Sequence, residues 1–142
     1  MDTTVDVGLT HIALLTSNPD ASVAFYGKYA AMRVVHRRID KDSGAAVVWL
    51  SDRTRPFVIV LIQAEQVDAP LAPFAHLGVG CAARDEVDRL CDEARREGCL
   101  RAGPTDSGYP VGYWAFLSDP DGNTLEISHG QEVALTVERS GG

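Results

Sequence analysis

The chain repeats itself, and this constrains its fold more than any other feature. At an offset of 65 residues His11 falls on His76, Asp20 on Asp85 and Phe25 on Leu90. Each histidine opens a strand-like run, Leu9-Thr10-His11-Ile12-Ala13-Leu14 in the first half and Phe74-Ala75-His76-Leu77-Gly78-Val79 in the second. A helix follows each run. In the first half Asn18 is placed to cap it, with Pro19 at the first helical position and Asp20 in the positive first turn. That helix is expected to reach about Ala30, with Val23, Tyr26 and Ala30 along one side. In the second half Val87, Leu90, Cys91 and Ala94 recur at helical spacing, acidic residues stand at the start, and Gly98 stops the helix.

Three strand candidates follow each helix. They span about 32–39, 45–50 and 57–63 in the first half, then a short stretch near 100–102, 112–117 and 124–128 in the second. The last two are joined by Ser118-Asp119-Pro120-Asp121-Gly122-Asn123, which puts proline at the second position of a type I turn and glycine at the fourth. The order is β-α-β-β-β, twice, an α+β chain. No Gly-, Ser- or Pro-rich linker separates the halves, so residues 1–142 read as one domain of two modules, about 8–66 and 73–129. The natural joint is Asp68-Ala69-Pro70-Leu71-Ala72-Pro73, and residues 1–7 and 131–142 read as loosely held tails.

Composition narrows the function. A chain of 142 residues with 45% apolar and 23% charged residues has an ordinary globular make-up. A net charge of -7 argues against nucleic acid and against an acidic membrane surface, since both need clustered Lys and Arg. The start shows no basic stretch followed by an apolar one, and no run approaches 18 apolar residues, so a cytoplasmic protein without a membrane partner is expected. Cys81, Cys91 and Cys99 lack CxxC spacing and read as reduced thiols.

Chemistry enters with the two strand-opening histidines and Glu126, inside Asn123-Thr124-Leu125-Glu126-Ile127. Two imidazoles and one carboxylate, one per strand, hold a divalent metal on one side and leave positions open for substrate. Strand alternation puts His11 on a face with Leu9, Ala13 and Leu15, and His76 with Gly78 and Gly80, which leaves space above the second ligand. Leu125 and Ile127 turn away from Glu126, and a buried carboxylate needs a compensating cation.

With these residues the chain resembles the vicinal oxygen chelate superfamily, which includes glyoxalase I, extradiol dioxygenases, methylmalonyl-CoA epimerase, fosfomycin thiol transferases and bleomycin-binding proteins. The resemblance runs from Leu9 to Ser128. It rests on His11, Ser22-Val23-Ala24-Phe25-Tyr26, His76, and the segment from Phe116 through Asp119-Pro120-Asp121-Gly122-Asn123 to Ile127. It implies two modules forming a curved mixed sheet around a cavity, helices on the outer face, with His11, His76 and Glu126 as metal ligands, and a homodimer. Glyoxalase I and the epimerase use a fourth ligand on the last strand of the first module. Here that place falls near Ile59 or Val60, which cannot bind metal. The ligand pattern is therefore most similar to the Fe(II) extradiol dioxygenases, acting on a small catecholic or otherwise bidentate substrate.

Two departures from that pattern stand out. The acid-base histidine of ring-cleaving enzymes has no counterpart in the aliphatic 60–62 stretch, and their tyrosine ten residues before the ligand glutamate is here Phe116. The catalytic acid or base is therefore unassigned. Phe116 and Trp114 share a face and are expected to form an aromatic wall for substrate, with Tyr109 and Tyr113 nearby. Two alternatives accompany this reading. One is a redox-neutral lyase, isomerase or thiol transferase with Mn, Ni or Zn, and the other a metal-free antibiotic- or metabolite-binding protein.

Overall fold

Strand pairing in the computed structural model, which describes residues 6–141, follows the repeat closely. The chain divides between Asp68 and Ala69 into two compact units, inside the joint expected at 68–73. Of the tail read at 1–7, residues 1–5 lie outside the described residues.

The first unit runs β1 (His11–Thr16), α1 (Pro19–Ala30), β2 (Arg33–Ile39), β3 (Ala46–Ser51) and β4 (Val58–Gln63). Its sheet has the order β1-β4-β3-β2, with β1 parallel to β4 and the other pairs antiparallel. The Asn18 side chain accepts from the Ala21 backbone N–H at 3.1 Å, satisfying one of the free donors that begin any helix. The helix buries Ser22, Phe25, Tyr26, Tyr29 and Ala30, so its core stripe passes one residue to the side of the expected Val23. Two aromatic residues at helical spacing set the stripe, and the smaller valine is left half-buried. Leu14, Ile59, Leu61, Val48 and Leu50 are buried, whereas His11, Ala13 and Leu15 are exposed on the other side of β1. Arg33, Arg37 and Arg38 lie exposed on the edge strand β2, where charge discourages pairing with another sheet.

The second unit repeats the order with β5 (His76–Gly80), α2 (Arg84–Glu97), β6 (Leu100–Asp106), β7 (Tyr113–Ser118) and β8 (Thr124–His129), arranged β5-β8-β7-β6. The helix buries Val87, Leu90, Cys91 and Ala94 and ends at Gly98, whose φ of 76° is the left-handed cap that glycine adopts without a Cβ clash. The three cysteines are free thiols.

Two elements differ from the sequence reading. Strand β6 continues to Asp106, through Gly103-Pro104 and beyond the short stretch expected near 100–102. It is an edge strand, where proline removes no needed donor, and its pairing with β7 shifts register between Ala102 and Thr105. The supposed tail 131–142 contains a short helix, α3 (Val133–Arg139). A distant loop holds its start, the Glu132 backbone N–H donating to the Pro110 carbonyl at 3.0 Å.

Candidate metal centre

Register decides which side chains meet. In the second unit the parallel pairing of β5 and β8 sets Gly78 beside Glu126, and the antiparallel pairing of β7 and β8 sets Phe116 on its other side. His76, two residues before Gly78, projects to the same face. Its Nε2 lies 3.5 Å from Glu126 Oε2. His76 Nδ1 is 2.6 Å from the Phe74 carbonyl oxygen. A carbonyl only accepts, so Nδ1 carries a proton, and Nε2 is the ring nitrogen that faces the carboxylate. A protonated Nε2 makes an ion pair with Glu126 across this distance, and an unprotonated one leaves two facing acceptors between which a cation fits. A ligand histidine fixed through its other ring nitrogen by a backbone carbonyl is the usual arrangement at metal centres.

Glu126 is 7% exposed. Its strand begins at the 119–123 turn, where the Gly122 N–H reaches the Asp119 carbonyl at 3.0 Å, as a type I turn requires. The Asp119 carboxylate accepts from the Asp121 and Asn123 backbone N–H groups, and Arg101 donates to the Thr124 hydroxyl and the Gly122 carbonyl. Gly78 leaves the carboxylate its present place, because a Cβ at position 78 would stand 3.2 Å from Oε2 and press it aside by a few tenths of an ångström.

Trp114 and Phe116 form an aromatic row on the strand face that carries Glu126. Phe116 packs against His76 at 4.9 Å between ring centroids and against Trp114 at 4.8 Å, and Trp114 Nε1 donates to the Ser107 hydroxyl at 2.8 Å. Tyr113 does not join it. The alternation that puts Trp114 and Phe116 on one face assigns Tyr113 to the other. There its hydroxyl donates to Asp88 of α2, and the Arg84 guanidinium lies 3.8 Å from its ring. Tyr109 is exposed in the loop before β7, where its hydroxyl accepts from Arg139 of α3 at 3.5 Å. His129 Nδ1 is engaged by the Cys81 carbonyl at 3.0 Å.

The first unit carries the matching row without the carboxylate. Ala13, Val60, Trp49 and His36 stand where Gly78, Glu126, Phe116 and Ala102 stand in the second unit, which assigns the fourth-ligand position to Val60. His36 stacks on Trp49 at 4.9 Å. His11 is exposed, with Nδ1 2.9 Å from the Thr10 hydroxyl. Among the described residues no group of three or more His, Cys, Asp or Glu able to hold a metal occurs. The second unit contributes the His76–Glu126 pair, and His11 belongs to the first.

Sequence reasoning missed Gln131. Its side-chain amide donates to both Glu126 carboxylate oxygens, at 3.4 and 3.3 Å. No local signal marked it, because it lies between the last strand and a short helix whose apolar residues show no clear period.

A duplicated βαβββ fold with a His–Glu pair on the open strand face defines a vicinal oxygen chelate protein. The chain belongs to the Glyoxalase/Bleomycin resistance protein/Dioxygenase superfamily, whose family model matches residues 8–127. It is 39% identical over 128 residues to an uncharacterized protein of Pseudomonas aeruginosa, covering 88% of this chain and 90% of the relative. Its fold is similar to that of a possible glyoxalase from Bacillus cereus, with TM-score 0.67 and 20% identity over 87% of this chain and 99% of the other. It is also similar to the fosfomycin resistance protein FosX of Listeria monocytogenes, solved with Mn(II) and 1S,2S-dihydroxypropylphosphonic acid, with TM-score 0.70 and 16% identity over 94% and 99%. A third similar fold is the trypanothione-dependent glyoxalase I of Leishmania major, with TM-score 0.69 and 19% identity over 95% of each chain. Among the described residues no helix is long and apolar enough to cross a membrane.

Proposed function

We propose that this protein is a divalent-metal enzyme acting on a small substrate that presents two adjacent oxygen atoms, with His11, His76 and Glu126 as the protein ligands. The observation that supports this most is the His76–Glu126 pair, an imidazole fixed through Nδ1 by a backbone carbonyl, with its Nε2 3.5 Å from a buried carboxylate. When bound, the cation supplies Lewis-acid polarisation of the substrate oxygens and, as Fe(II), redox chemistry with dioxygen.

The chain's own residues set the rest. The Phe74 carbonyl anchors His76 through Nδ1, Gly78 leaves room for the carboxylate, and Phe116 with Trp114 offers an apolar surface against which a planar substrate lies. Aliphatic Val60 and the aromatic wall favour the Fe(II) ring-cleaving reading on a catecholic substrate. The redox-neutral reading with Mn(II), Ni(II) or Zn(II) is favoured by Phe116 itself, which brings no hydroxyl beside Glu126 for proton transfer during ring cleavage.

Elemental analysis after anaerobic loading with Fe(II), Mn(II), Ni(II) or Zn(II), on the native protein and on Glu126→Ala, tests the centre. Stoichiometric metal in the first and none in the second is expected. Unchanged metal in the variant refutes the ligand assignment, and no metal in either leaves the protein a binder of an antibiotic or metabolite. Oxygen uptake with a catechol panel then separates the two chemistries, uptake marking the dioxygenase and none the redox-neutral enzymes.

A further inference from the structure

Resting on the metal-ligand reading of Glu126, we propose that Gln131 is a positioning residue for that ligand, and that the 107–112 loop sets its place. Glu126 is almost fully buried, and a carboxylate in that position needs donors to both oxygens. Oε2 faces His76. The Gln131 amide approaches Oε1 and Oε2 almost equally, at 3.4 and 3.3 Å, so it restrains the carboxylate plane without displacing Oε2 from the imidazole. A neutral amide does this without adding charge, so the carboxylate's full negative charge remains for a cation.

What holds Gln131 is its backbone. The 129–131 segment crosses directly over Gly112, where a Cβ would stand 2.6 Å from the His129 carbonyl oxygen, 2.7 Å from Gly130 C and 2.9 Å from Gln131 N. Only glycine permits that approach, and its φ of +84° suits glycine as well. One residue on, the Glu132 N–H is bonded to the Pro110 carbonyl, and within the loop the Ser107 N–H is bonded to the Gly112 carbonyl. Ser107 in turn accepts from Trp114 of the aromatic wall. Trp114 is thus tied to the loop by a side-chain hydrogen bond, the loop to the 129–131 segment by backbone contacts, and Gln131 to Glu126 by its side-chain amide.

Mn(II) is the probe for the test. Equilibrium dialysis and the electron paramagnetic resonance spectrum of the bound ion are recorded for the native protein, for Gln131→Met, which keeps the length and removes the donor, and for Gln131→Asn, which keeps a shortened donor. Circular dichroism serves as the folding control. Gln131→Met is expected to weaken Mn(II) binding about 10- to 100-fold and to alter the spectrum, with Gln131→Asn recovering part of the loss. Equal affinity and an identical spectrum in Gln131→Met overturn the positioning role while leaving the metal centre standing. A native protein that binds no Mn(II), Fe(II) or Zn(II) overturns both.

Discussion

His76 and Glu126, on neighbouring parallel strands, meet at 3.5 Å because Gly78 stands directly beside the carboxylate in the strand register. A methyl group there would come within 3.2 Å of Oε2, tighter than ordinary contact. Gly78→Ala is therefore expected to tilt the carboxylate away from His76 and lower divalent-metal affinity several-fold. The fold should survive, since Gly78 does not have a positive φ. Mn(II) dialysis against a thermal melt checks this, and affinity equal to the native protein would mean that the carboxylate yields without consequence.

Tyr113 makes the converse prediction. Its hydroxyl serves Asp88 on the helix side of the sheet, and that hydrogen bond also pushes the phenol pKa upward. Tyr113→Phe should cost about 1 kcal/mol of stability and leave metal affinity and any turnover unchanged. Denaturant unfolding measures the first and dialysis the second. A drop in metal affinity would return Tyr113 to the site.

How far the sequence carried depends on the range of the determining contact. His76, Glu126, Phe116 and Trp114 were legible because strand alternation is a local rule, and the repeat supplied two copies of it. The same rule, applied one residue earlier, excludes Tyr113 from the wall. Val60 became certain only with the register, since a slip of one residue exchanges it for Ile59. Gln131 and α3 were illegible. Nothing near them signals a helix or a contact, and both depend on the 107–112 loop about twenty residues earlier, a pairing that no spacing rule encodes. Strand β6 runs past the expected 100–102 because Gly103-Pro104, a strong local breaker, is tolerated at the sheet edge.

Gly112 and Gly44 form a controlled pair. Both have positive φ, +84° and +74°, but a Cβ at 44 meets nothing within 4 Å and one at 112 collides with the backbone of 129–131. Gly44→Ala should cost only the left-handed strain, about 1 kcal/mol. Gly112→Ala adds a clash that the main chain must move to relieve, and should cost about 3 kcal/mol or more, a fall in melting temperature on the order of 10 °C. Calorimetry on the two variants decides. Equal losses would show that the 129–131 segment is free to shift, and that the route from the loop to Gln131 is loose.

The cysteines yield a prediction in pH. Cys91 is buried in α2 and its pKa is pushed up from 9.0 to about 11, mainly by burial and then by the Asp88 carboxylate. Cys81 is raised as well, by burial first and by Glu86 second. A thiol is neutral when protonated, so a raised folded-state value means that the native protein keeps its proton where the unfolded chain loses it. The associated stability is complete below about pH 9 and is lost as pH rises through about 11, by at most about 1.4 kcal/mol per pH unit from this group. At pH 8, iodoacetamide should leave Cys91 unmodified in the folded protein and alkylate it readily in denaturant, with Cys81 modified slowly and Cys91 last. Peptide mass spectrometry over a time course reads the order. Native-state alkylation of Cys91 as fast as that of Cys81 would show that the α2 face opens without global unfolding, and that burial does not protect this thiol.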